Sequence, residues 1–198
     1  MKGVARFSKV SLEEYTNTLH KLYPKHEFDP AEIEMYWNEI ILPVRATSGS
    51  AGYDFFAPFD FTIAPGCQIA IPTGIRVEIL KEDWALFMIP KSRNVKTSIR
   101  LSNTVGLIDS DYYYADNEGH IILFLEMPTE PVMHRNSLVS HFSTLLTKYR
   151  KPVHYNVGMG IAQGYFAEIG ITDDDNPISE QTRTGGFGST GDYTPEEG

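Results

Sequence analysis

The sequence holds a single cysteine, Cys67, in 198 residues, which excludes an internal disulfide framework. No Cys/His spacing resembles a zinc site, so a reducing cytoplasm is the simplest compartment and Cys67 reads as an ordinary buried residue. Long apolar runs are also missing. No stretch of about 18 apolar residues occurs, and the opening Met-Lys-Gly-Val-Ala-Arg-Phe lacks the core of a signal peptide. A chain that is neither exported nor membrane-spanning is expected. Positive charge is scarce: 17 Lys and Arg stand against 26 Asp and Glu, for a net charge of −9 and no basic cluster. A duplex nucleic-acid binder needs several cations on one face, so nucleic acid is not an expected partner. A small anionic ligand would need a local positive pocket instead.

What is present is an ordinary globular composition, 41% hydrophobic and 22% charged, in a length that suits one domain with a real core. Ser11 followed by Glu14 forms a capping box, and Val10 can staple to Tyr15, which predicts a helix over 12–23. Its buried stripe would be Leu12, Tyr15, Leu19, Leu22 and Tyr23. Asp29-Pro30 and Glu32 mark a second start, with Ile33, Tyr36, Trp37 and Ile40 at helical spacing until Pro43. Residues 1–41 therefore read as a helical extension without identifiable chemistry. Beyond Pro43 the pattern changes to short extended runs separated by Gly, Pro and Asp, at 51–57, 61–63, 67–71, 74–80, 85–90, 99–101 and 121–125. That spacing is the signature of an all-β sandwich or barrel. From 136 to 150 the period turns helical again, with Leu138, Phe142, Leu145 and Tyr149 on one face until Pro152, which reads as an inserted helix.

The densest stretch is Ser102-Asn-Thr-Val-Gly-Leu-Ile-Asp-Ser-Asp-Tyr-Tyr113. Apolar strand residues lead into Asp109 and Asp111, which an extended chain would send to the same side. By itself this is a hairpin with a polar turn. Four further segments accompany it: Ser48-Gly-Ser-Ala-Gly-Tyr-Asp-Phe55, Pro90-Lys-Ser-Arg93, Gly158-Met-Gly-Ile-Ala-Gln163 and Arg183-Thr-Gly-Gly-Phe-Gly-Ser-Thr-Gly191. Each is weak when taken alone. The last is not a phosphate loop, because the required Lys and the following helix are absent.

Together and in order, the five segments resemble the five motifs of the trimeric dUTPase family, and Leu42-Pro-Val-Arg-Ala-Thr47 adds to the likeness. The resemblance spans about residues 41–191 and implies an all-β, jelly-roll-like barrel over 42–182. Around it stand the helical extension 1–41, a helical insertion at about 132–151 and a flexible C-terminal arm over 183–198. It further implies a homotrimer with active sites at subunit boundaries, and hydrolysis of dUTP to dUMP and pyrophosphate, which limits uracil in DNA and supplies dUMP for dTMP synthesis. Asp109 would be the carboxylate that activates water, while Lys91, Ser92, Gln163 and Arg183 fall on phosphate-binding positions. Asp54 would orient water or a cationic side chain. Asn103 and the hairpin backbone would read uracil, Tyr112 would lie flat on the deoxyribose and leave no room for a 2′-hydroxyl, and Phe187 would close over the base. Arg93, Gly106, Gly188 and Ser189 complete the substrate-binding set. Magnesium would be held through the substrate's phosphates and water, with no direct protein ligand.

Some positions depart from the family pattern. Lys91 stands where Arg is usual, and Arg93 where a small residue is usual. Tyr113-Tyr-Ala-Asp-Asn-Glu-Gly119 lengthens a loop that is short in many members, although a form with Asp-Asn-Glu-Gly-His is familiar in some bacterial and phage ones. Arg183 lies one residue nearer Gly185 than in many relatives. Two other classes stay in view. The related deoxycytidine triphosphate deaminases share the fold, and a nucleotide-responsive interaction protein could use the 136–150 helix for a macromolecular partner.

Overall fold

The computed structural model describes residues 3–129 and 151–175. The predicted helix over 136–150 and the arm over 183–198 lie outside the described residues. The described part is mostly strand, and all its strand pairs are antiparallel. A four-stranded sheet runs in the order β2 (Tyr53–Phe56), β11 (Gly160–Glu168), β6 (Trp84–Pro90) and β8 (Gly106–Ile108). A three-stranded sheet joins β4 (Gln68–Pro72), β9 (Ile122–Glu126) and β7 (Arg100–Leu101) in that order. Two ribbons complete the set: β3 (Phe61–Ile63) with β10 (Val153–Tyr155), and β1 (Ala5–Lys9) with β5 (Ile75–Ile79).

Alternation along the strands fills one core. Ile75, Val77 and Ile79 of β5 point inward while Arg76 and Glu78 do not, and Leu123 and Leu125 of β9 do the same. Ile71, Leu86 and Ile161 are fully buried, each worth about 1.5–3 kcal/mol of transfer from water.

The extension is not purely helical. Residues 5–9 form strand β1 and pair with β5 from Ala5↔Ile79 to Lys9↔Ile75. Ala-Arg-Phe-Ser-Lys has one large apolar residue, so its own pattern specifies little. The partner strand and a ring cluster decide it: Phe7 lies 5.4, 5.7 and 5.7 Å from Tyr53, Phe55 and Phe166. Helix α1 (Leu12–Leu22) follows, with Tyr15, Thr18 and Leu19 buried, and then α2 (Pro30–Glu39), where Asp29 accepts the Ala31 N–H at 2.9 Å. Lys9 ties α2 down by donating to the Trp37 and Asn38 carbonyls at 2.8 and 2.9 Å. Gly74 meets this layer closely: its φ is +69°, and a Cβ there would come within 2.2 Å of Ile40 Cδ1.

Two local expectations are corrected. Cys67 is exposed, because the turn at Gly66, with φ +80°, sets it at the solvent end of β4. The capping box is half formed. Ser11 Oγ accepts the Glu14 N–H at 3.0 Å, but the Ser11 N–H donates to Glu118 Oε2 at 2.9 Å, and Glu14 turns inward toward His120. A buried imidazole has displaced the local partner.

Candidate active site

Asp54 on β2 and Gln163 on β11 are direct register partners in the four-stranded sheet, and Gln163 in turn faces Ile89 of β6. Opposed residues of an antiparallel pair bring their side chains within reach of each other. Gln163 Nε2 donates to Asp54 Oδ1 at 2.7 Å, and Lys91, one residue beyond β6, forms an ion pair with Asp54 Oδ2. The Lys91 stem crosses bare backbone at Gly160, where a Cβ would stand 3.0–3.1 Å from its Nζ, Cδ and Cε. Burial pushes the Asp54 carboxyl up, but the hydrogen bonds from Lys91 and Gln163 and the Lys91 charge outweigh it, holding the group below the usual carboxylate range. The result is a fixed anion that aims an ammonium and an amide together.

Lys91 caps the short helical turn Ser92–Lys96. Ser92 and Arg93 are exposed, and the Arg93 guanidinium lies 5.9 Å over the Tyr155 ring. Asn94, buried, was not singled out by the sequence. Its Nδ2 donates to the Ile161 carbonyl at 3.3 Å, and its N–H donates to the Lys91 carbonyl at 2.9 Å, so it fastens this turn to β11. The only sequence signal was an amide inside a run of charged residues. Lys91, Ser92, Asn94 and Arg100 line one open groove.

The stretch 101–108 joins the two sheets and does not form a two-stranded hairpin. β7 pairs with β9, and β8 pairs with β6. Between them Thr104, at φ +65°, makes a tight turn in which the Val105 N–H donates to the Asn103 carbonyl at 2.7 Å. β7 and β8 are both terminal strands, so each leaves an edge without a strand partner among the described residues. Such an edge offers unpaired backbone donors and acceptors. A Cβ on Gly106 would press to 3.2 Å on Met88 and 3.5 Å on Asn103 Nδ2.

Asp109, half-buried, directly follows β8 and caps the helical turn Ser110–Tyr114. The chain therefore leaves the extended conformation at Asp109, and Asp111 does not continue the strand alternation expected for the pair. Tyr112 is buried. Its hydroxyl donates to the His120 carbonyl and accepts from Asn117 Nδ2, both at 2.9 Å, so the ring is held in a fixed position. The loop folds tightly against it at Gly119, φ +67°, where a Cβ would stand 2.6 Å from the Tyr112 carbonyl.

Register separates the two groups of site residues. Ile108 faces Leu86, so Asp109 leaves the sheet near the level of Ala85, whereas Asp54 and Gln163 stand at the level of Ile89. Four residues along the strands at about 3.3 Å each, and three strand spacings at about 4.8 Å, leave roughly 15–20 Å between them. One protomer does not bring Asp109 to Lys91. Arg183, Phe187, Gly188 and Ser189 lie outside the described residues.

The family model for dUTPase matches residues 38–124. The deoxyuridine 5'-triphosphate nucleotidohydrolase of Lactococcus lactis is 34% identical over 154 residues, 77% of this chain and 89% of that protein. The chain belongs to the dUTPase family. The dUTPase of Streptococcus mutans superposes with a TM-score of 0.52 at 27% identity, over 68% of this chain and 91% of that one. A mutant form of the phage 80alpha dUTPase, 17% identical, shares the fold with a TM-score of 0.56 over 96% and 100% of the two chains. Membership gives the chain a jelly-roll-like β fold and the character of a nucleotide hydrolase. The dUTPase match contains Asp54, Lys91, Ser92, Arg93, Asn103, Gly106, Asp109 and Tyr112, and ends before Gln163. No helix among the described residues is long and apolar enough to cross a membrane.

Proposed function

We propose that the chain hydrolyses dUTP to dUMP and pyrophosphate at sites assembled from more than one copy of itself. The observation that carries this reading is the distance between two well-formed halves: Lys91 and Gln163 set on Asp54, and Asp109 with Tyr112 at the far end of β8. The first half suits a triphosphate, because Asp54 holds the Lys91 ammonium and the Gln163 amide side by side, and Lys91 lines one groove with Ser92 and Arg100, which supply a hydroxyl and a second cation. In the second, Asp109 takes the proton from the water that attacks the α-phosphorus, and Tyr112 supports the deoxyribose. The open edges of β7 and β8, with Asn103, pair with uracil, and Gly106 lets Met88 and the Asn103 amide pack close to the strand. Arg183 and Phe187, with Gly188 and Ser189, would close over the bound nucleotide and shut out bulk water. A homotrimer joins the halves from neighbouring subunits.

The donor set fits magnesium that arrives with the triphosphate. Asp54 is already engaged by Lys91 and Gln163, which leaves hydroxyl, phosphate and water oxygens for a cation that keeps most of its hydration shell. When bound, magnesium neutralises phosphate charge and polarises the phosphoryl oxygens. The proposed consequence in the cell is less uracil in DNA and more dUMP for dTMP synthesis. The experiment is pyrophosphate release from dUTP, dTTP, dCTP and UTP with magnesium. Strong preference for dUTP is expected; ammonia release from dCTP without dUTP hydrolysis would favour the deaminase chemistry instead.

A further inference from the structure

The N-terminal extension is tied to the loop that follows Tyr112 by contacts that packing alone does not demand. His120 is fully buried, and both of its ring nitrogens are used. Nε2 accepts the Gly74 N–H at 2.9 Å, which leaves the ring proton on Nδ1, and Nδ1 donates to Glu14 Oε1 of α1 at 3.2 Å. Glu14 is itself held by the Thr18 hydroxyl at 2.7 Å. Beside it, Ser11 at the start of α1 donates its N–H and hydroxyl to the two Glu118 oxygens at 2.9 and 2.6 Å. The His120 carbonyl then receives the Tyr112 hydroxyl at 2.9 Å. A continuous chain of directed bonds thus runs from α1 to the ring proposed to meet the sugar. Asp109 shares a turn with Tyr112, its carbonyl accepting the Tyr112 N–H at 3.3 Å, but it has a second anchor that the ring lacks, because Ile108 just before it is paired with Leu86 in the sheet.

We infer that Glu14 and His120 are positioning residues, through which the extension sets the height of the Tyr112 ring and with it the exclusion of a 2′-hydroxyl. This rests on the dUTP-hydrolysis reading above. Because the tether holds Tyr112 and the sheet holds Asp109, loosening the tether should weaken sugar recognition more than the attack of water. Leaving a buried hydrogen-bond donor without its partner costs a factor of about five to 160, and the part transmitted to the ring is expected to shift the preference by roughly threefold to thirtyfold.

The test compares Glu14→Ala with Glu14→Gln, which retains a side-chain oxygen able to accept from Nδ1 and from Thr18. Both are made in the full chain and assayed with dUTP and UTP in parallel, and folding is checked by circular dichroism and thermal melting. For Glu14→Ala the KM for dUTP is expected to rise about threefold to thirtyfold, with kcat within about threefold of wild type. The preference for dUTP over UTP should fall by a similar factor. Glu14→Gln should return both readouts to within about threefold of wild type, which a general loss of stability would not do. A folded Glu14→Ala protein with unchanged KM and unchanged dUTP/UTP preference overturns the tether while leaving dUTP hydrolysis standing. Wild type that hydrolyses no dUTP overturns the underlying reading, and the tether with it.

Discussion

Asp109 and Asp54 are both carboxylates beside a proposed nucleotide site, and their surroundings assign them opposite work. Asp54 is committed to Lys91 and Gln163, so its role is to hold cation and amide in place. Its folded-state pKa is depressed, so the unfolded chain binds the proton first as pH falls. The stabilisation is complete above the ordinary Asp value of about 3.9 and is lost as pH drops below it through the folded value. Denaturation midpoints measured across that acid range should fall more steeply for wild type than for Asp54→Asn; parallel curves would mean the ion pair contributes nothing. Asp109 directly follows a strand and caps a turn, the place for a group that must meet water. Asp109→Asn is nearly isosteric but cannot take a proton, so single-turnover hydrolysis should slow by about 10²- to 10⁴-fold with affinity for a non-hydrolysable dUTP analogue changed less than about tenfold. Asp111→Asn is the matched control, and a larger loss there would move the base assignment. The sequence made both residue types visible, but not the separation between them, because register is a property of strand pairs.

At the scale of elements, local rules read well wherever one segment carried its own signal. The turn glycines, Pro30 at a helix start and the apolar stripe of α1 led to boundaries close to those observed. They failed where the deciding partner was distant in sequence. β1 exists because β5 and three rings receive it, and the capping box is half open because His120 claims Glu14. Buried Asn94 and His120 escaped for the same reason, since their partners lie 67 and 106 residues away. The tight fit around α1 has one flaw. The Tyr15 hydroxyl is buried with no hydrogen-bond partner among the described residues, and burial pushes its pKa well above the usual range. Tyr15→Phe should therefore leave stability unchanged or raise it by up to about 1 kcal/mol, read as an equal or higher melting temperature. A fall of several degrees would show that the hydroxyl has a partner in solution.

For the whole molecule, the central claim is that a complete site needs residues from two copies of the chain, since one copy keeps Asp109 well away from Lys91 and Asp54. Two variants isolate the halves: Asp109→Asn removes the proposed base, and Lys91→Ala removes the proposed phosphate-binding cation. Each homogeneous protein should hydrolyse dUTP at a small fraction of the wild-type rate. Co-refolding the two in equal amounts should place an intact Asp109 against an intact Lys91 at about a quarter of the boundaries between subunits. The measurement is dUTP hydrolysis by that mixed sample, compared with the same two proteins folded separately and then combined. The account predicts recovery of roughly a quarter of wild-type activity in the co-refolded sample alone. A mixture no more active than its components would contradict it.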